Sequence, residues 1–382
     1  MIHHIRHLIY SLTLAAASVW PRRKKRQFRL TILKLDRLGD AVLSLGAVRE
    51  LLREFGTKET LMVVSTAAEP LFRAELPEVE LLVLPPFCER YFPDLLVFLW
   101  RHAARLRSIS TETLVCLRHQ PSDYQHVIVR LIAPAKCHAS RWDRAGENVS
   151  LSFPRAVLVS YPQVAEGTCL ELEAHRRILE SVTGKKTEIE AVTPTISAAQ
   201  AVAGRVLLVC PLAGVAIRHY PPHLLATVIH DFLQRVSLPV EFCLPPEADI
   251  EPWQSAMSAA GVPQAKWHRP ETLEIFLQLV ARSCLVLAPD SAPAHIATAL
   301  DKPGVFLLGG GHFGMFAPWS KSQRQVWLHH GMDCYQCRWN CIHPEPFCIT
   351  HIKPQVVVEA LLRVYENTQD GADARSVALD FE

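Results

Sequence analysis

The sequence has no apolar run of the length that crosses a bilayer. Its N-terminal apolar stretch, Leu8 to Trp20, has 13 residues, where a spanning helix needs about 20. The order expected of a secretory signal is also missing, because the main basic cluster follows the apolar stretch and no small-residue cleavage site comes after it. Net charge is small, at +2, and five positive charges are concentrated in residues 22–26. The remainder is slightly acidic and offers no broad basic face, which excludes nucleic acid as the main partner. Charged residues make up only 20% of the chain and hydrophobic ones 49%, a balance that excludes a disordered chain. Cysteines number 11, an odd count, and seven of them are scattered through apolar strands and helices. Buried cysteine behaves as a small hydrophobe, and a chain this size needs no disulfide framework, so the expected compartment is reducing and cytoplasmic. Two readings of residues 1–26 stay open: a helix lying on the anionic cytoplasmic face of a membrane, or a frayed tail.

A length of 382 residues allows two cores, since single cores stop growing near 250–300 residues. From Phe28 the pattern is regular. Phe28 to Leu35 reads as a strand, Asp36 to Asp40 as a turn, and Ala41 to Phe55 as a helix with Val42, Leu45, Val48, Leu51, Leu52 and Phe55 at helical spacing. Strands at 61–64, 81–84 and 114–117 alternate with helices at 91–107 and 122–132, and Leu170 to Thr183 reads as a further helix. Ala191 to Gly204 is polar and contains proline, so it reads as a linker. The alternation then restarts, with strands at 206–210, 240–244, 285–288 and 304–308 and helices at 222–236, 249–260, 272–283 and 293–300. Such alternation implies parallel sheets covered on both faces. The expected fold is α/β, two Rossmann-like doubly wound domains facing across a cleft. Expected boundaries are a basic and apolar N-terminal segment at 1–26, a first domain at 27–195, a second at 196–350, and a C-terminal helix and tail at 351–382.

Ligands of doubly wound sheets bind at the carboxyl ends of strands, and four loops at such positions carry polar residues. The first contains Asp36, Arg37 and Asp40; Asp40 reads either as a helix N-cap or as a carboxylate facing a ligand. The second, Pro211 to Pro221, carries Arg218, suited to gripping a phosphate with two parallel hydrogen bonds or else to facing solvent. The third is Asp290-Ser291-Ala292-Pro293-Ala294-His295, small residues leading into a helix whose amides and dipole favour an anion; His295 alone also fits a core histidine. The fourth, Gly309 to Gly314, matches the spacing of a dinucleotide fingerprint. No helical pattern follows it, so it reads as a flexible loop and hydride transfer is excluded.

Cys334, Cys337, Cys341 and Cys348 fall within 15 residues. The first gap suits a metal knuckle and the later ones match no common zinc module. Structural zinc, two disulfides and reduced thiols all remain open.

Taken in order, these loops resemble glycosyltransferase family 9, the ADP-heptose lipopolysaccharide heptosyltransferases. Leu35-Asp36-Arg37-Leu38-Gly39-Asp40-Ala41-Val42-Leu43 is similar to the family's N-terminal motif, Arg218-His219-Tyr220-Pro221 to its basic-aromatic-proline segment, and Asp290 to His295 to its Asp-Ser/Thr-Gly-x-x-His motif. Gly309 to Phe316 with the cysteine cluster resembles one branch of the family. The resemblance spans about Phe28 to Val364. It implies a GT-B fold and an inverting, metal-independent transferase with no cofactor required for catalysis. The implied partners are a nucleotide-sugar donor, ADP-heptose by family default, a lipid-linked glycan acceptor, and peripheral contact with the inner membrane. Asp40 would be the general base, Arg218 would meet the donor diphosphate, and Asp290, Ser291, Ala292, His295, Gly311 and His312 would form the donor site. Asp36 and Arg37 would lie on the acceptor side. Ala292 stands where the family usually has Gly, and Arg218 where Lys is common. No Asp-x-Asp pair is present to bridge a metal to a diphosphate. A nucleotide-sugar epimerase of similar fold and a non-catalytic nucleotide-sugar binding protein are the competing functions.

Overall fold

The computed structural model describes residues 26–85, 92–120, 122–140, 156–159, 169–197, 204–262, 264–320 and 322–369. Most of the N-terminal basic and apolar segment, and the tail after residue 369, lie outside the described residues. The chain divides into two compact units, Met1–Val164 with Leu170–Pro194, and Ala165–Cys169 with Thr195–Glu382.

In the first unit the elements run β1 (Arg26–Lys34), α1 (Leu38–Phe55), β2 (Thr60–Ser65), α2 (Glu69–Glu75), β3 (Glu80–Leu84), α3 (Phe92–Arg107), β4 (Ile109–Cys116), α4 (Asp123–Ile132), β5 (Lys136–Ser140), β6 (Ala156–Val159), α5 (Leu170–Thr183) and α6 (Ile189–Val192). The sheet is parallel, in the order β3-β2-β1-β4-β5-β6. Leu30, Ile32, Leu33, Met62, Val63, Val64, Leu114 and Val115 have no exposed surface, as expected where helices cover both faces. Local chemistry sets the helix ends. Ser122 accepts from the Gln125 amide and Gln125 returns a bond to the Ser122 amide, which fixes the start of α4. Gly56 ends α1 at φ 84°, a conformation that favours glycine.

The second unit contains β7 (Leu207–Val209), α7 (Pro222–Leu233), β8 (Val240–Cys243), α8 (Glu251–Ala259), β9 (Lys266–His268), α9 (Leu273–Arg282), β10 (Leu285–Pro289), α10 (Ala292–Ala299), β11 (Gly304–Leu307), β12 (Gln325–Leu328), α11 (Phe347–Thr350) and α12 (Pro354–Gln369). Its parallel sheet runs β12-β11-β10-β7-β8-β9. Counted from its own first strand, this is the same order as in the first unit. In each sheet the order reverses between two central strands, β1 and β4 in one and β7 and β10 in the other. Doubly wound sheets bind ligands at such reversals.

Four strands and three helices escape the sequence reading; besides α2 the helices are α6 and α11. The strands are β5, β6, β9 and β12, and all seven elements are short. The strand at Gly304–Leu307 does not close its sheet, because β12 pairs outside it. Part of the expected linker is ordered helix: α6 includes Ala191 and Val192 and packs on α1 at Gly46, where a Cβ would meet the Val192 carbonyl oxygen at 2.3 Å. A side chain cannot fit against backbone that close without moving one helix. Gly46→Ala should therefore cost about 1–3 kcal/mol from overpacking and lower the thermal midpoint by several degrees, while an unchanged midpoint would show that the two helices part freely.

Candidate active site

In the first unit the site is assembled around the carboxyl end of β1. Lys34, the last residue of that strand, is fully buried. Its ammonium donates to the Leu117 carbonyl oxygen (2.7 Å) and to Glu171 Oε1 (2.8 Å), and it lies 3.1 Å from Asp36 Oδ2. Burial would lower the Lys34 pKa, but Asp36, Glu171 and Asp40 outweigh it and raise it above the ordinary value. Glu171 comes from α5 and is itself fully buried. It accepts from the His119 amide at 2.9 Å, lies 2.5 Å from His119 Nδ1, and lies 3.3 Å from His175 Nε2 one helical turn away. Burial opposes its ionisation, yet Lys34, His119 and His175 hold its carboxyl well below the usual range. Arg118, just after β4, places Nη1 3.1 Å from Asp36 Oδ1. The reversal between β1 and β4 thus brings both strand ends into one charged cluster.

Asp40 belongs to this cluster and has a different state. It lies in the first turn of α1, where the N-cap position is Arg37, so Asp40 is not the cap. No described group donates a hydrogen bond to its carboxylate. Burial and the charge of Asp36 raise its pKa to about 6, against the opposing pull of Lys34 and Arg118. A carboxylate left open, mostly ionised at neutral pH yet more basic than usual, is suited to accepting a proton. Arg37 is exposed at the helix start.

In the second unit the site forms at the carboxyl ends of β7 and β10. The loop after β7 tightens into a turn at Ala216–Arg218. It is anchored below by Tyr220, whose hydroxyl donates to the Ile352 carbonyl oxygen at 2.7 Å, and it leads into α7, with proline in the first turn. Arg218 Nη2 lies 2.9 Å from His312 Nδ1. After β10, Asp290 is buried, with Oδ1 3.5 Å from His295 Nε2. The Trp319 indole N–H donates to His295 Nδ1 at 3.0 Å, and since an indole only donates, the imidazole proton sits on Nε2, toward Asp290. His295 is therefore not satisfied by a backbone carbonyl. Burial opposes ionisation of Asp290, but His295, Arg218 and His312 hold it below its usual value. Asp290 Oδ2 is buried and has no hydrogen-bond partner among the described residues. Ser291 stands at the N-cap of α10, but its hydroxyl donates back to the Pro289 carbonyl oxygen at 3.0 Å. Ala292 opens the helix.

The glycine run is not the flexible loop expected. Gly310–His312 form a short turn in which Gly310 and Gly311 are buried, and Trp339 and Tyr335 fill the space a Cβ would take. The four clustered cysteines are all free. Burial raises the Cys348 thiol, and Cys337, Cys334 and Cys341 add to the rise. Among the described residues no three His, Cys, Asp or Glu side chains are arranged as metal ligands.

The structure thus brings together Asp36 and Asp40 in one unit, and Arg218, Asp290, His295 and His312 in the other. Sequence reasoning missed Lys34, Arg118, His119, Glu171, His175, Trp319 and Trp339. A lysine inside the apolar run Leu30 to Leu35 was one available signal, and Glu171 with His175, four apart on one helix face, was another. No described helix is long and apolar enough to cross a membrane.

The family model for glycosyltransferase family 9 (heptosyltransferase) matches residues 116–343. No curated protein matches the sequence. Among solved structures, the chain is similar to the Escherichia coli ADP-heptose lipopolysaccharide heptosyltransferase II, with 15% identity, a TM-score of 0.61, and 90% of this chain and 100% of that one covered. It is also similar to the E. coli heptosyltransferase WaaC with ADP, with 17% identity, a TM-score of 0.62, and 88% and 100% covered. A third likeness is to the iron-containing dodecameric glycosyltransferase TibC of enterotoxigenic E. coli, with 12% identity, a TM-score of 0.50, and 91% and 78% covered. These likenesses establish a GT-B fold, and the family match over more than half of the residues establishes that the chain belongs to glycosyltransferase family 9, the heptosyltransferases.

Proposed function

We propose that this glycosyltransferase moves a heptose from ADP-heptose onto a lipid-linked glycan of the lipopolysaccharide core type, inverting the anomeric centre. The observation that carries the reading is Asp40, an open carboxylate raised to about 6 at the switch point of its sheet. An acceptor hydroxyl attacks the anomeric carbon as Asp40 takes its proton, and the bond to the diphosphate breaks. Arg218 and the first amides of α10 meet the negative charge that develops on the leaving diphosphate. Asp36 and Arg37 serve the acceptor side, and Asp290, His295, Gly311 and His312 shape the donor side. Arg218 supplies charge where a metal would otherwise stand, and the sequence has no Asp-x-Asp pair. The relatives support the donor: one is named for ADP-heptose and another is described with ADP. The acceptor is presented at the cytoplasmic face of the inner membrane, where the basic residues 22–26 favour anionic lipid.

Cys334, Cys337, Cys341 and Cys348 are proposed to hold one structural metal. A thiol-only donor set suits zinc or iron rather than magnesium, Cys334, Cys337 and Cys341 add to the rise of the Cys348 thiol, and one relative is described as iron-containing. Binding would draw the thiols together from their present positions.

Asp40→Asn should bind ADP as the wild type does while kcat falls by about 10²–10⁴-fold, the usual worth of a general base; transfer at the wild-type rate would remove Asp40 from the chemistry. Because the base must be ionised, kcat/KM should rise with pH and level off above about 6, and a flat profile between pH 5 and 8 (approximate limits) would contradict the assignment. For Arg218→Ala the donor KM should rise and kcat fall, with kcat/KM reduced by about 10- to 100-fold through loss of a charge-assisted contact. With donor alone no change in the sugar is expected, and epimerisation without acceptor would refute transfer. Protein purified without chelators should contain stoichiometric zinc or iron, lost on replacing Cys334 and Cys337 by serine; a metal-free, fully folded wild type rules the metal out.

A further inference from the structure

Arg218 is held by more than His312. Its guanidinium carbon lies 5.1 Å from the centroid of the Trp339 ring, within cation–π range, and the same ring meets His312 edge-on at 5.9 Å. The indole N–H of Trp339 is buried and has no hydrogen-bond partner among the described residues. What the ring contributes is its face, since its polar handle is unused.

The backbone goes to some lengths to put that face there. A Cβ on Gly309 would lie 2.3 Å from the indole and one on Gly311 2.5 Å, so the ring sits flush on a turn that only glycine can form. The Gln336 amide donates to the Gly310 carbonyl oxygen at 2.7 Å and the Arg338 amide to that of Gly311 at 2.9 Å, docking the cysteine-bearing loop onto the same turn. Gln336, Arg338 and Trp339 adopt φ of 63°, 53° and 64°, left-handed conformations that non-glycine residues rarely take. Three such residues in four positions persist only where the surroundings over-determine them.

We infer that Trp339 is a positioning residue, its ring clamped on the glycine turn and its face fixing the Arg218 guanidinium for a nucleoside diphosphate. The inference rests on the reading of Arg218 as the diphosphate ligand. It gives the loop between Cys334 and Cys341 a task in donor binding as well as a place in the fold. A freely rotating arginine loses rotamer freedom on binding; one already stacked has lost most of it beforehand.

The test is calorimetric titration of ADP, with donor kinetics, into the wild type, Trp339→Leu, Trp339→Phe, Arg218→Ala and the Arg218→Ala/Trp339→Leu double variant. Leucine fills much of the volume without a π face, whereas phenylalanine keeps one. Trp339→Leu should weaken ADP binding by about 2- to 30-fold, the range of a cation–π contact, and raise donor KM more than it lowers kcat. Trp339→Phe should recover most of the loss. In the Arg218→Ala background Trp339→Leu should add nothing, as expected of two residues acting as one unit. The inference is overturned if Trp339→Leu binds ADP like the wild type while Arg218→Ala does not, if leucine and phenylalanine are equally impaired, or if the two losses simply multiply. An Arg218→Ala variant with unchanged ADP affinity overturns the diphosphate role itself, and the positioning role with it.

Discussion

An ammonium group with none of its surface in water keeps its charge only where anions and carbonyl oxygens replace its hydration. Lys34 is held that way by the Leu117 carbonyl, Glu171 and Asp36, with Asp40 adding its field. The cluster has three carboxylates for two cations, Lys34 and Arg118, so they cannot all be equally satisfied. Glu171 takes the hydrogen bonds, from Lys34 and the His119 amide. Asp36 takes the ion pairs with Lys34 and Arg118. Asp40 takes neither and carries the raised pKa. A base forms because its neighbours have claimed the available donors. Such a cluster costs stability compared with an apolar core of the same size, which is the usual balance where a buried group is kept reactive.

The second unit uses its charges differently. Asp290 is paired with His295, whose proton position is fixed by Trp319, and it shares its surroundings with Arg218 and His312. There one guanidinium, that of Arg218, stands with two imidazoles around a buried carboxylate, and its charge is suited to an incoming diphosphate. Both clusters occupy the same topological place, the reversal in a sheet of one strand order used twice. One scaffold therefore supplies a carboxylate-rich cluster in one unit and an arginine-bearing one in the other, and the residues at the strand ends and on the adjoining helices decide which.

Much of this architecture was legible in the sequence. The helix at Leu170–Thr183 falls within the limits its periodicity gave, and the central strands Arg26–Lys34, Ile109–Cys116 and Leu285–Pro289 overlap the apolar runs at 28–35, 114–117 and 285–288, although Ile109–Cys116 begins five residues before its run. Where these strands run beneath helices on both faces, toward their carboxyl ends, they are buried and mostly apolar. Two of the strands that escaped are short and carry polar residues. Lys136–Ser140 reads Lys-Cys-His-Ala-Ser and Lys266–His268 reads Lys-Trp-His; such strands exist because a neighbour's backbone offers a ladder, and nothing in their side chains announces it. The glycine run misled for a related reason. Three glycines in a row suggest freedom, whereas here they admit Trp339 and Tyr335 and become packed.

The sequence by itself determined the alternation of strands and helices, the loops that would carry polar chemistry, and the presence of Asp40, Arg218, Asp290 and His295 in them. These are local properties, expressed over a few residues as a period or a motif. Tertiary structure alone decided the state of those groups. Lys34 meets Glu171 across 137 positions, and Arg218 lies against Trp339 in a loop that follows the last strand of its sheet. Contacts between residues so far apart leave no period to read, because what joins them is the packing of sheets and helices that brings distant loops together.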